Sequence, residues 1–321
     1  MDTPRVTVVT VVRNLVEAKR ADMFRQCVES VRGQSWPAVE HLIIDGASTD
    51  GTVNILEQYA RQGTLTYRSA PDRGIYDAMN AGLELAGGEF VTFLGSDDFY
   101  HDASFLEQAV QTLCRSGADC TYAPVRVLTP EGGRMIRRPC LGAAFVYMPF
   151  CHQTVVYKTT ILRRYPFHVD FPIAADYEQT LRMLLDGCRF CEIPLCGVTF
   201  RSGGSSSRDT ARSNADFTRV HLSLYSSQGM SQRRCEQLLR RHAIPRSVFQ
   251  KLIGASAPEH RPLFEQWRRK DMRRRIIHWF LTWKYREGRC SIRILGIWLV
   301  QGAATCAKSK QSLSERGKEE Y

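Results

Sequence analysis

No stretch of this chain stays apolar long enough to cross a bilayer. The longest nearly apolar run, Ile294 to Ala307, has 14 residues with Gln301 inside it, against the roughly 20 that a spanning helix needs. The N-terminus has no apolar segment leading to a small-residue cleavage site. Met1 to Arg5 runs directly into a Val-rich stretch, so secretion is not expected and the cytosol is. Regular cysteine spacing is missing as well: eleven cysteines, an odd number spread from Cys27 to Cys306, do not make an extracellular disulfide framework and read as reduced thiols. Cys188, Cys191 and Cys196 begin like a zinc pair but have no fourth ligand at a suitable distance, so they are assigned to the core. There is no internal repeat and no bias toward disorder. With 43% hydrophobic and 24% charged residues, 321 residues make one large or two small globular domains.

Acidic residues are scarce in the last third. Ser231 to Tyr321 holds 21 Lys and Arg against 8 Asp and Glu, which leaves 23 and 25 for the first 230 residues. A near-neutral body with a basic tail points to a polyanionic surface as the tail's partner, anionic lipid or nucleic acid.

What is present is an alternation. Val6 to Val12 is a β-branched run suited to a strand buried on both faces, and Asn14 turns the chain. A helix over about 18–32, a strand at His41–Asp45 and a helix over 51–61 follow, with Thr49 and Asp50 as N-cap candidates. A short strand (64–68), a helix (75–86), an apolar strand (89–94) and a helix (103–115) complete four strand–helix alternations, which favours a doubly wound α/β sheet flanked by helices. Beyond it, strands are expected at 120–128, 153–157 and 190–200, with a helix at 174–186. Ser202–Ser207 reads as a flexible loop, and a helical, basic segment runs to about Arg286. In such sheets ligands sit at the carboxyl ends of the strands, where Asp45, Asp72 and Asp97 stand.

Gly95-Ser96-Asp97-Asp98 places two adjacent carboxylates on a loop after a strand. That suits a divalent ion completed by water and phosphate oxygens, or alternatively a cap for the following helix. Ile43 to Thr52 (IIDGASTDGT) precedes it, and Pro71 to Gly82 (PDRGIYDAMNAG) lies between. In this order after a Val-rich strand, these segments resemble glycosyltransferase family 2, enzymes of the GT-A fold that use nucleotide-sugar donors. A fourth piece, Ile173 to Arg182 (IAADYEQTLR), looks like the family's segment in which an Asp at a helix start is the general base. The resemblance spans about residues 5 to 205.

It implies a mixed α/β GT-A sheet in which Asp176 is the base, with Glu178 as the fallback, and Asp97 and Asp98 bind Mn2+ or Mg2+. The nucleotide-sugar set is Val12, Asn14, Asp45, Ser48, Asp72, Arg73, Gly74, Asn80, Asp97, His152 and Arg201. At a helix start the carboxylate stays ionised and can take a proton from an acceptor hydroxyl; a first-turn acidic cap is the alternative. Arg73, before a Gly-started helix, suits a phosphate contact or is a solvated surface group. Ser48 and Asp50 shape the turn or touch the donor, and Tyr76 and Asp77 face either nucleotide or core. Where many relatives carry Asp-Asp after the second strand, this chain has Asp45-Gly46. The carboxylate that contacts the base in relatives is missing, and Asp45, Asp72 and Asn80 are the substitutes to weigh.

Met148 to Gln153 resembles the His-Gln segment of a branch concerned with bacterial surface polysaccharides. His152 there binds phosphate, metal or acceptor, or is a hydrogen-bonded core residue. Arg201, before the Gly-Ser loop, is placed to hold the diphosphate when that loop closes. In the tail, clustered cations flank Trp, Phe and Ile from Trp267 to Arg286. This suits a helix in a headgroup layer, with Ile294–Val300 as a second contact, or a helix packed on the catalytic domain by its Trp face; no nucleic-acid motif accompanies the charge.

The expected domains are a GT-A catalytic domain over 1–205, with a nucleotide-binding half (1–115) and an acceptor half (116–205), and a basic helical extension over 206–321. The expected activity is metal-dependent, inverting transfer of a sugar to a lipid-linked saccharide in bacterial surface-polysaccharide assembly, by a protein peripheral on the inner face of the membrane. The rivals are a non-catalytic scaffold that binds membrane or nucleic acid, and a sugar-nucleotide pyrophosphorylase. The latter needs a Gly-rich loop where this chain has Val12-Arg13-Asn14-Leu15.

Overall fold

The computed structural model describes residues 3–203, 210–226, 229–241, 244–286, 289–294 and 297–301. Ser205–Ser207 of the Gly-Ser loop and the end of the apolar run after Gln301 lie outside the described residues, as do the side chains beyond Met272 on which the tail expectation rests. Contacts divide the chain into two units, 1–261 and 262–321, although the composition changes near residue 205.

In the first unit, β1 (Val6–Val12), β2 (Val39–Asp45), β3 (Thr66–Ser69) and β4 (Phe90–Phe93) are parallel in the order 3-2-1-4, joined by α1 (Ala21–Arg32), α2 (Thr52–Arg61) and α3 (Ile75–Leu85). β1 is buried along nearly its whole length, as a β-branched central strand covered on both faces should be. In α1, Phe24, Cys27, Val28 and Val31 recur at the spacing of one helical face and are buried. In α3, Gly82 lets the helix lie directly on the sheet, because a Cβ there would overlap Val9 Cγ1.

The sheet then turns mixed. β6 (Cys120–Tyr122), β9 (Val156–Lys158) and β10 (Phe190–Glu192) extend it in the order β10-β6-β9-β4, with β9 antiparallel to both neighbours. A second sheet, ordered β5 (Phe99–Tyr100), β11 (Val198–Arg201), β7 (Val125–Leu128) and β8 (Arg134–Arg137), stands beside it. Two expected strands are thereby corrected. The stretch 120–128 divides into β6 and β7 at Pro124, and 190–200 divides into β10 and β11 around Pro194; proline has no N–H for a ladder, so the chain changes sheet there. The expected 153–157 strand starts later, after a 3-10 turn at His152–Thr154.

α4 (Phe105–Ser116), α5 (Thr159–Leu162), α6 (Ala175–Leu185), α7 (Thr210–Tyr225), α8 (Gln232–Arg241) and α9 (Arg246–Ala255) complete the first unit. In the second unit, α10 (Arg261–Phe280) leads to β12 (Leu281–Arg286), β13 (Arg289–Ile294) and β14 (Ile297–Gln301), an antiparallel meander. Helix was expected through Arg286. Leu281, Trp283 and Tyr285 alternate with Thr282, Lys284 and Arg286, the period of a strand, and the helix ends at Phe280. Among the described residues no helix is long and apolar enough to cross a membrane.

Candidate active site

The site lies at the carboxyl edge of β1, β2 and β4. Asn14, with φ 50°, turns the chain after β1. Its N–H donates to Ser48 Oγ at 2.7 Å, and its Oδ1 accepts from Thr49 N at 3.2 Å, so the loops after β1 and β2 form one piece. Asp45 is fully buried and spends its carboxylate on Ser48 N (3.0 Å), Ser48 Oγ (2.5 Å) and Ser69 Oγ (2.6 Å). The first residue before α2 is Gly51 in the left-handed region (φ 92°) instead of Thr49 or Asp50. Asp50 still serves that helix, accepting from Thr52 N at 3.1 Å and Thr52 Oγ1 at 2.6 Å.

Gly46 occupies the place of the missing second carboxylate, and the space beside it is filled. A Cβ at 46 would overlap Asp72 Oδ2, while Asp72 Oδ1 accepts from Gly74 N at 2.9 Å. Asp72 therefore presents a half-buried carboxylate beside the end of β2. Asn80 does not join it: both ends of its amide bond the Phe167 backbone at 2.8 Å. Arg73 pairs with Asp77 (2.8 Å) on the exposed first turn of α3, which puts Asp77 with Arg73 and not in the core.

Asp97 and Asp98 sit on the turn between β4 and β5, closed by Asp98 N to Gly95 O at 3.0 Å. They do not cap α4, whose start is served by Asp102 accepting from Ser104 N and Oγ. The two carboxylates diverge. Asp98 is buried, accepts from Arg201 N at 2.6 Å and from the Gln153 side chain, and is pushed up to about 7 by burial and by the charge of Asp97. Asp97 is partly exposed and faces Arg20 at 3.5 Å. Arg201 donates to the Asp97 carbonyl and to Gln26 Oε1 (2.6 Å), with its guanidinium 5.0 Å from the Phe99 ring. It thus fastens the turn that carries the two carboxylates. Sequence reasoning missed Arg20 and Gln26, since nothing local marks a partner so distant in the chain; Gln153 stood in the His-Gln segment but was given no role.

Across the site, Asp176 stands in the first turn of α6. Its Oδ1 accepts from Tyr177 N at 2.9 Å and lies 3.0 Å from Tyr76 Oη, which is also 2.8 Å from Ile173 O. Burial and Asp176 raise Tyr76 far above its ordinary value, so the phenol stays protonated. Tyr76, left open between nucleotide and core, is thus a partner of Asp176. Glu178, the fallback base, has its side chain buried against Arg182 (2.8 Å) and His168 (3.2 Å). His152 stacks among Phe93 (5.4 Å), Phe167 (5.5 Å) and Tyr157 (6.1 Å), and burial lowers its pKa. Its buried Nε2 has no hydrogen-bond partner among the described residues. Next to it, the Cys151 thiol is pushed up to about 11, chiefly by burial, with both Asp98 and Asp176 adding to the rise. The turn 151–153 touches both acidic centres through side chains: Gln153 bonds Asp98, and the His152 ring packs on Phe167, whose ring also packs on Tyr76, the partner of Asp176.

A divalent cation fits the turn chemically. Gly95 lets both carboxylates close in on its backbone, because a Cβ there would overlap Asp98 Oδ2, meet Gln153 Nε2 at 2.9 Å and lie 3.3 Å from Asp97 Oδ1. Two carboxylates side by side with one charge desolvated are relieved by a cation. No cluster of three or more His, Cys, Asp or Glu side chains occurs among the described residues, so a cation would draw its remaining ligands from a bound diphosphate and water.

The sequence profile of Glycosyl transferase family 2 matches residues 7–184. An uncharacterised glycosyltransferase of Mycobacterium tuberculosis is 32% identical over 215 residues, 61% of this chain and 77% of that protein. A PGL/p-HBAD biosynthesis glycosyltransferase of Mycobacterium bovis is 28% identical over 160 residues, 49% of this chain and 62% of its own length. Among solved structures, S. aureus TarS 1-349 in complex with UDP-GlcNAc superposes with a TM-score of 0.57 at 17% identity, over 94% of this chain and all of that one. The mannosyltransferase PcManGT from Pyrobaculum calidifontis, in complex with GDP-Man and Mn2+, gives 0.55 at 20% identity, over 83% and 74%. The fold is the expected GT-A type.

Proposed function

The chain belongs to glycosyl transferase family 2, and from that premise we propose that it transfers a sugar from a nucleotide-sugar donor to a saccharide hydroxyl with inversion, in the building of a lipid-linked surface glycan. The observation that carries this reading is the pair of acidic centres linked through the 151–153 turn, with Gln153 on Asp98 and His152 against the Phe167 ring that packs on Tyr76. One, Asp97 and Asp98, is built for a cation and a diphosphate; the other, Asp176, is oriented by Tyr76 to take a proton. The Asp176 carboxylate, its Oδ1 held by Tyr76 and the Tyr177 amide, takes the hydroxyl proton as the acceptor oxygen attacks the anomeric carbon, and the nucleoside diphosphate leaves on the other face; one displacement inverts that carbon. A divalent cation held by Asp97 and Asp98 supplies charge stabilisation to the leaving diphosphate. Arg20, which faces Asp97, adds positive charge beside that leaving group. Asp72 takes the base-facing place next to Gly46, with Val12, Asn14, Ser48 and Gly74 shaping the donor cleft and the His152 ring closing its floor. Residues 1–115 form the donor half and 116–205 the acceptor half of the catalytic domain.

A role in surface-glycan assembly is supported by the named biosynthesis of the mycobacterial relative. The basic segment from Trp267 is proposed to hold the enzyme on an anionic membrane surface. Vesicle binding that weakens with salt and disappears on truncation after Arg261 tests it; equal partitioning of both forms overturns it. The activity is tested by a thermal-shift panel of nucleotide sugars with Mn2+ or Mg2+, comparing the wild type with Asp98→Ala. A donor that stabilises only the wild type, and only with metal, is expected; silence with every donor, with and without anionic vesicles, favours a non-catalytic scaffold.

A further inference from the structure

Helix α6 begins without a cap of its own. The residues at its start, Ile173, Ala174 and Ala175, carry no side-chain acceptor, and Ala174 at the cap position makes no side-chain hydrogen bond. The first amides of a helix have no partner within it, and in a buried setting they need one from elsewhere. Here the partner comes from 43 residues downstream. Asp216, in the middle of α7, accepts from Ile173 N at 2.8 Å and from Ala174 N at 2.9 Å, both through Oδ2. Its side chain is 3% exposed, and its other oxygen faces Arg219 at 3.4 Å, whose guanidinium lies over the Phe171 ring at 5.2 Å. One buried carboxylate thus holds the turn that enters α6 from both sides.

That turn sets the position of Asp176. Tyr76 Oη touches Ile173 O and Asp176 Oδ1 together, so the backbone that Asp216 grips through Ile173 N and the carboxylate that accepts the proton share one hydroxyl. A second tie from α7 fixes the next residue: Tyr177 Oη lies 3.1 Å from His221 Nε2 and donates to Ala144 O at 2.8 Å. We propose that Asp216 is a positioning residue for the transfer reaction, acting through the start of α6 to hold Asp176 against Tyr76. The inference rests on the reading of Asp176 as the base. It makes α7, which follows the segment matched by the family profile, part of the catalytic apparatus.

The test measures release of nucleoside diphosphate from a panel of UDP-glucose, UDP-N-acetylglucosamine and GDP-mannose with Mn2+, using the full chain and its variants. Asp216→Ala is expected to lower kcat about tenfold or more while the donor KM holds, since a small displacement of a reacting group is costly. Asp216→Asn is expected to restore most of the rate, because its amide oxygen can take both N–H bonds. In an Asp176→Asn background, adding Asp216→Ala is expected to change the residual rate by less than about twofold, the mark of two residues acting as a unit. A kcat unaffected by Asp216→Ala, or a full multiplicative loss on top of Asp176→Asn, overturns the proposal; an undiminished rate in Asp176→Asn alone overturns the base reading instead. Amide hydrogen exchange supplies a readout without substrate. Faster exchange at 173–177 in Asp216→Ala, with residues 45–52 unchanged, is expected, and unchanged protection at 173–177 overturns the inference.

Discussion

The donor side and the acceptor side of this site are held together in opposite ways. On the donor side the acidic groups are fixed by close neighbours in the chain: Asp45 by Ser48, Asp50 by Thr52, Asp72 by Gly74 and Asp77 by Arg73, across two to four residues. Toward the acceptor side the ties are long. Tyr76 reaches Asp176 across 100 residues and Asn80 reaches Phe167 across 87; the Asp98 turn of the donor side shares this dependence, held by Arg201 across 103. The cradle around Asp45 and Asp50 is laced within the first 70 residues, by these short ties and by Asn14 on Ser48 and Ser69 on Asp45, whereas the Asp98 turn and the proton-accepting carboxylate depend on the assembled domain.

The comparison breaks most visibly at Asp176. Asp176→Asn is expected to lower kcat about a thousandfold with donor affinity retained, in steady-state kinetics beside a donor-binding titration. A loss of donor affinity of similar size would erase the distinction between the two sides. Asp98→Asn should lower kcat/KM roughly a hundredfold and abolish the response to Mn2+ in the same assays. Asn80→Ala removes two hydrogen bonds to Phe167, one of the long ties, and should cost about 2 kcal/mol, read as a lower denaturation midpoint.

A pH series separates packing from charge. His41 is buried beneath the donor side, and burial lowers its pKa to about 3 from an ordinary 6.5. The folded protein refuses a proton that the unfolded chain takes, so stability from His41 is full above about pH 6.5 and is lost as the pH falls toward 3. At pH 5 the loss is about 2 kcal/mol. The stability difference between the wild type and His41→Gln should be flat above pH 6.5 and shift against the wild type by that amount at pH 5, in urea titrations at each pH. The smallest effect belongs to the local exposed pair: Asp77→Ala should leave the melting temperature unchanged within error, since Arg73 is solvated.

The same contrast explains how much could be read from the chain alone. The parallel β1–β4 core, its helices and the acidic loops at the strand ends were legible because each is written in a local pattern: a β-branched run, a 3.6-residue stripe, or an Asp followed by Gly. Asp176 was legible as a helix-start carboxylate. What escaped was pairing at a distance. Arg20 opposite Asp97, Gln153 on Asp98 and Asp216 on Ile173 join residues whose own surroundings look ordinary. The partners of Glu178 and Arg201 were equally hidden, because a charged residue near a motif does not reveal which protein group it meets after folding. Pro124 and Pro194 did stand in the sequence as strand breakers, but only the second sheet shows why the chain needs them.

The long reach of Arg201 and Asp216 also sets an order in time. On a chain leaving the ribosome, β1 to β4 and the loops around Asp45 and Asp72 are complete once Leu94 has emerged, and a nucleotide cradle can take shape early. The turn at Asp98 gains its fastening only when Arg201 has been made, and the start of α6 stays uncapped until Asp216 follows. The loops around Asp45 and Asp72 therefore take shape during synthesis before either the Asp98 turn or the start of α6 is fastened, so the diphosphate end of the donor site and the proton acceptor both wait for residues beyond 200.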